Sequence, residues 1–187
     1  MRDSSNPEQA EILILGAGEI ARALAVLARA CDLPVMVTDP QAHAHAWPQG
    51  VVLRDAVYAE TPWPLGAQTH AVVARGHEGD PESVHSLLLH GVGRVYLIAS
   101  ARRAQNVLDS VAPRLPETAW LEKVSAPAGI DLGGASSADI ALSILAEIQW
   151  RRQGAAGSLR PAVEKRAERL GISLSGQRFE FCPGQRA

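Results

Sequence analysis

"ILILGAGEIARAL", residues 12–24, sets the fold of this 187-residue chain. Four aliphatic residues in succession suit a strand covered on both faces. Two glycines follow, and then an Ala-rich amphipathic segment that reads as a helix. Gly16, Gly18 and Ala21 fit the pattern G-x-G-x-x-G/A, in which the first glycine permits a tight turn. The second removes a Cβ so that backbone N–H groups can approach a pyrophosphate, and the small third residue keeps helix close to strand. A second aliphatic run, "PVMVTD" (34–39), completes a strand–helix–strand unit of about 27 residues. It brings Asp39 about twenty residues beyond the turn, where a carboxylate accepts hydrogen bonds from ribose hydroxyls. The alternative is a glycine turn that only packs helix on strand. Glu19 bears on the choice, because its carboxylate would repel a phosphate if it pointed inward.

Outward from this unit the alternation continues. "VVLRD" (51–55) is a weaker strand, and residues 69–100 form a second strand–helix–strand unit. Its helix is expected to start with Asp80 as N-cap, Pro81 at the first helical position and Glu82 in the first turn, and to stop at Gly91. Ser100 can cap a further helix through about Val111, before a Pro-punctuated stretch at 112–117. In residues 125–153, Ile140, Ile144 and Ile148 recur every four residues beside Ala141 and Leu145, so one helix face is built for burial. Ser136 and Asp139 have the spacing of a capping box. Residues 154–187 are Gly-, Arg- and Ala-rich, with a short charged helix expected near 161–170 and a final "RFEFC". The pattern predicts an α/β fold with a doubly wound parallel sheet. It divides the chain into a polar segment (1–10), one Rossmann-like domain (11–153) and an extension (154–187).

Composition narrows the partners. Apolar residues make up 47% and charged residues 20%, with a net charge of −2, so bulk charge points to neither nucleic acid nor an anionic membrane. Sixteen arginines against two lysines read as compositional bias. Cys31 and Cys182 have no zinc-site or disulfide-framework spacing. Cys31 falls at the end of the first helix, where burial would account for it. The N-terminus is polar and no apolar run approaches membrane-spanning length, so a cytoplasmic location is expected.

Beyond the glycine turn, Arg75, Gly76, His77, Glu78 and Asp80 cluster at the carboxyl end of a strand, where open α/β sheets place ligands. A ligand-facing role for His77 and a plain loop both stay open. His43 and His45 lack a third ligand and suit a solvated loop. Ser100, Arg102 and Arg103 open a helix, so an anion or bare solvent would suit them equally. No catalytic triad, activated cysteine, paired carboxylates or metal set stands out.

Taken together, the glycine turn, "VVARGHEGD", "VYLIASARR" and above all "APAGIDLGGASSADIALSILAEI" resemble the XdhC/CoxI family of xanthine-dehydrogenase accessory proteins. The similarity is to that family's C-terminal Rossmann domain and covers roughly residues 11–152. Its Arg-Gly-His…Asp segment is matched by Arg75, Gly76, His77 and Asp80, and its Gly-Asp-Gly loop by Gly129, Asp131 and Gly133. The family's serine with basic residues is partly matched by Ser100, Arg102 and Arg103. Glu19 stands where a His is common, and Pro40 replaces a second acidic residue. Typical members also carry an N-terminal domain with a conserved cysteine, for which this chain is expected to have no room.

The resemblance implies binding of the molybdenum cofactor, help with its sulfuration and its delivery to a molybdenum hydroxylase apoenzyme. The expectation is therefore a non-catalytic or assisting maturation factor. Its crevice would hold a nucleotide or pterin ligand, including the dinucleotide form of the cofactor, through Gly16, Gly18, Ala21, Asp39, Arg75, Gly76, His77, Ser100 and Asp131. The alternatives are a small NAD(P)-dependent oxidoreductase, like the Rossmann dehydrogenases of tetrapyrrole synthesis, and a nucleotide-sensing regulatory domain. A homodimer is left open.

Overall fold

Aliphatic tetrads form the centre of the molecule because a strand buried on both faces needs apolar side chains at every position. The structure, a computed structural model, describes residues 10–76, 79–115 and 118–154. Six strands pair in parallel: β1 (Ile12–Leu15), β2 (Val35–Thr38), β3 (Val52–Arg54), β4 (His70–Val73), β5 (Arg94–Leu97) and β6 (Val124–Ser125). Their order is β3-β2-β1-β4-β5-β6. The order reverses between β1 and β4, which marks the topological switch point where doubly wound sheets bind ligands.

Among the described residues, four α-helices cover the two faces: α1 (Glu19–Ala30), α2 (Asp80–Leu89), α3 (Ala101–Val111) and α4 (Ser137–Gln153). Strand periodicity decides which helix each residue meets. Ile12, Ile14, Val35 and Val37 pack against Leu24 and Ala28 of α1 and Ile144 and Ile148 of α4. Leu13, Leu15, Met36 and Val73 pack against Val84 and Leu87 of α2 and Val107 of α3. The chain thus has the doubly wound α/β architecture that its alternation predicts.

Local signals resolve mostly as expected. Ser136 and Asp139 form the full capping box of α4, and their hydrogen bonds hold the Asp139 carboxyl below its ordinary range. Two expectations need correction. Asp80 is not an N-cap: Gly79 holds that position at φ +79°, and Asp80 is the first helical residue. A glycine in the left-handed region starts the helix one residue early, which frees the Asp80 side chain for another partner. Cys31 is exposed rather than buried, at the C-cap of α1 and past its inward stripe. The expected helix near 161–170, the "RFEFC" segment and Cys182 lie outside the described residues.

The amino edge of the sheet buries a histidine. His70 is 9% exposed and its Nδ1 lies 2.9 Å from the Tyr96 hydroxyl. Burial, together with Arg152, Arg94 and Arg151, pushes its pKa down to about 4. A His held neutral in the fold but free to protonate at 6.5 when unfolded makes the fold lose stability as pH falls from 6.5 to about 4, by on the order of 3 kcal/mol. His70→Gln should flatten the pH dependence of urea unfolding between about 6.5 and 4. An unchanged profile would mean that His70 titrates normally.

Candidate functional site

The site is built where β1 and β4 end. Gly16 follows β1 and its N–H donates to the Thr38 carbonyl at 3.0 Å, tying the turn to β2. Its φ is +120°, and a Cβ there would stand 2.5 Å from the carbonyl oxygen of Ala74, just beyond β4. Gly16 is therefore required by the protein's own packing. Gly18 is not. It caps α1 at φ −70° and ψ −177°, a conformation open to any residue, and a Cβ there meets nothing within 4 Å.

The N-terminus of α1 consequently opens onto free space with no side-chain cap. Helix-end N–H groups in that position attract anions. Ala21, at 1% exposure, packs the helix close to the sheet. Glu19 is exposed and accepts a hydrogen bond from the Ser137 hydroxyl at 3.1 Å, so its carboxylate engages the first turn of α4. This contact sets the mouths of α1 and α4 side by side.

Around this opening the other expected residues are distributed unevenly. Asp39 follows β2, and its Oδ1 accepts the Gln41 N–H at 2.8 Å, closing the turn into Ala42–Ala44. Arg75 and Gly76 follow β4; Gly76 is exposed at φ +91° with open space where a Cβ would be. The Arg75 guanidinium lies 3.3 Å from the Cβ position of Gly79, across the loop. His77 and Glu78 lie outside the described residues. Asp131 is exposed, and its Oδ1 accepts the Gly133 N–H at 3.0 Å within the loop that leads to α4.

Ser100 caps α3 by accepting the Arg103 N–H at 3.4 Å. Arg103 then reaches back to the buried Asp80 carboxylate, 2.6 Å from Nη2 and 3.2 Å from Nε, and to the Ile98 carbonyl at 2.9 Å. Asp80 and Arg103 thus tie α2 to α3. They stiffen the frame behind Ser100 instead of lining the opening. His43 pairs with Asp55 at 2.7 Å on the surface, which accounts for it as a solvated loop residue.

Glu147 is the residue that sequence patterning missed. It is 1% exposed on α4. It accepts hydrogen bonds from the Ser125 hydroxyl (2.6 Å), the Gly129 N–H (2.9 Å) and Arg151 Nε (2.9 Å). One buried carboxylate therefore anchors β6, the start of the Asp131 loop and the end of α4 together. Its signal was present: a Glu beside Ile144 and Ile148 sits on a helix face otherwise built for burial. Among the described residues, no three His, Cys, Asp or Glu side chains gather as a metal-binding group, and no helix is long and apolar enough to cross a membrane.

A doubly wound parallel sheet with a glycine turn at its switch point defines a Rossmann domain. Residues 12–148 match the model of the XdhC Rossmann domain, and the chain belongs to that family. It is 25% identical over 159 residues to the uncharacterized protein YqeB of Escherichia coli K12, a match spanning 79% of this chain and 28% of that protein. A crystal structure titled as a xanthine dehydrogenase from Bacillus halodurans shares the fold at a TM-score of 0.64 and 21% identity. That match covers 81% of this chain and 45% of the other. The chain thus spans less than half the length of either relative.

Proposed function

We propose that this domain is a maturation factor for a molybdenum hydroxylase and that its carboxyl-edge crevice receives the pyrophosphate of the molybdenum cofactor in its dinucleotide form. The observation that carries the reading is Gly18. The protein's own packing gives no reason for a glycine there, whereas a pyrophosphate approaching the α1 N-terminus does. Gly16 and Ala21 support the turn, and Gly18 leaves its N–H groups accessible. Asp39 keeps one carboxylate oxygen beyond its turn contact for a ribose hydroxyl. Gly76 and the Asp131 loop border the approach from β4 and α4, and Arg75 and Ser100 belong to the same sheet edge. Membership of the XdhC Rossmann family supports the hydroxylase as partner. When bound, the cofactor supplies molybdenum redox chemistry to that hydroxylase; the residues of this chain bind and orient it.

The same cradle suits NAD(P), and the free Asp39 oxygen favours an unphosphorylated ribose, so a small NAD-dependent oxidoreductase is the second reading. The two part in one experiment. Gly18→Val places a branched side chain where the pyrophosphate approaches. It should weaken retention of the molybdenum cofactor at least tenfold, about 1.4 kcal/mol, and lower the activity of a co-expressed hydroxylase while the domain stays folded. Full hydroxylase activity with folded Gly18→Val contradicts the carrier reading. Turnover of NADH by the purified wild-type chain would favour the oxidoreductase instead.

A further inference from the structure

The opposite, amino-terminal edge of the sheet holds a pocket of about 460 Å³ whose walls include Gln68, His70, Arg94, Trp150, Arg151 and Arg152. Its size suits a small metabolite. Three elements meet there: His70 opens β4, Arg94 opens β5, and Arg151 and Arg152 close α4. Topology alone brings them together, because α4 starts at the carboxyl edge beside α1 and ends at the amino edge.

The charges are unevenly matched. Arg151 pairs with Glu147, and Arg152 pairs with Glu11. Both also lie in the last turn of α4, where the helix-end carbonyls favour cations. Arg94 differs from both. It is half-buried, and while its backbone N–H donates to the Thr69 carbonyl at 3.2 Å, its guanidinium makes no hydrogen bond or ion pair among the described residues. Glu147 and Glu122 act on it only through space, while burial and Arg151 weaken its hold on its proton. A partly desolvated guanidinium with five donors and no partner is costly unless something fills its fork.

His70 supplies a neutral counterpart. The buried Tyr96 hydroxyl, kept protonated by burial and by Glu147, lies 2.9 Å from Nδ1. When Tyr96 donates to Nδ1, the ring proton sits on Nε2 and is available as a donor.

We propose that this pocket binds a small anion bearing a phosphate or carboxylate group, with Arg94 as its fork-like charge partner and His70 as a neutral donor. The site is separated from the glycine turn by the length of a strand, roughly 13 Å. It is therefore distinct from the crevice and independent of what the crevice holds. An anion here would also offset the three arginines that, in addition to burial, hold the His70 pKa down, so its arrival can be read at the imidazole.

The test titrates the full chain with inorganic phosphate and, in a parallel arm, with acetate, each against sodium chloride at matched ionic strength. His70 ring resonances are followed by NMR. At least one anion should shift them saturably and raise the His70 pKa by about one unit or more. Arg94→Gln should weaken that response at least about fivefold. Arg94→Lys, which keeps the charge but loses the fork, should fall between, and it serves if Arg94→Gln does not fold. Gly18→Val should respond like wild type. The proposal is overturned if His70 ignores both anions, or if the folded Arg94 variant responds as wild type does. A response abolished by Gly18→Val but untouched at Arg94 would place the anion in the crevice and overturn it equally.

Discussion

Glu147→Ala should destabilise the domain by about 3–5 kcal/mol, the range for removing one partner from a buried charged pair. The carboxylate is 1% exposed and holds three donors from separate parts of the chain: Ser125, Gly129 and Arg151. Its removal leaves a buried hydroxyl and a buried backbone N–H unpartnered, each costing about 1–3 kcal/mol, and takes away the carboxylate that Arg151 Nε donates to. Glu147→Gln keeps the shape and one acceptor, so its cost should be smaller. Urea unfolding followed by circular dichroism measures both, with the midpoint falling and the slope unchanged. A Glu147→Ala midpoint within error of wild type would show that the hub contributes nothing. Because Gly129 begins the Asp131 loop, the same variant should loosen that border of the crevice.

The two glycines of the turn should separate by an equally plain margin. Gly16→Ala puts a Cβ 2.5 Å from the Ala74 carbonyl oxygen at a φ of +120°, so either β1 and β4 part or the turn is rebuilt. We expect a loss of about 3 kcal/mol or more, from backbone strain and displacement together. Gly18→Ala meets open space at an ordinary φ and should cost no more than about 0.5 kcal/mol. Thermal and urea unfolding of the pair checks this directly. Equal costs would mean that Gly18 is a packing glycine too, which removes the observation on which the crevice reading stands.

These contrasts also explain what could be read from the sequence. Strand and helix periods are local, so the aliphatic tetrads, the Ile140–Ile144–Ile148 stripe and the Ser136–Asp139 box were legible without a structure. The doubly wound parallel sheet followed from the alternation of strands and helices, whereas the order of its strands came from the structure. Side-chain partners across the chain were not legible. Asp80 looked like a cap because Asp before Pro usually is one; the left-handed Gly79 took that position, and Arg103, 23 residues away, took the carboxylate. Burial is the expectation for Cys31 at the end of the first helix, yet it is the C-cap of α1 and is exposed. Glu147 was hidden as one charge within an apolar stripe. His70, Arg94, Arg151 and Arg152 carry no motif at all. They are neighbours only because parallel strands begin where the packed helix ends.

At the candidate site, the sequence located the turn and its frame but could not say which glycine was kept for packing. That distinction came from the space around each Cβ position. It makes occupancy of the crevice the central question. The most direct measurement is native mass spectrometry of the chain purified from a host that makes the molybdenum cofactor, with Gly18→Val prepared in parallel. The account predicts a bound mass matching the dinucleotide form of the molybdenum cofactor on the wild-type chain and its loss from the folded variant. Ligand-free mass for both proteins, or the same bound mass on both, would contradict it.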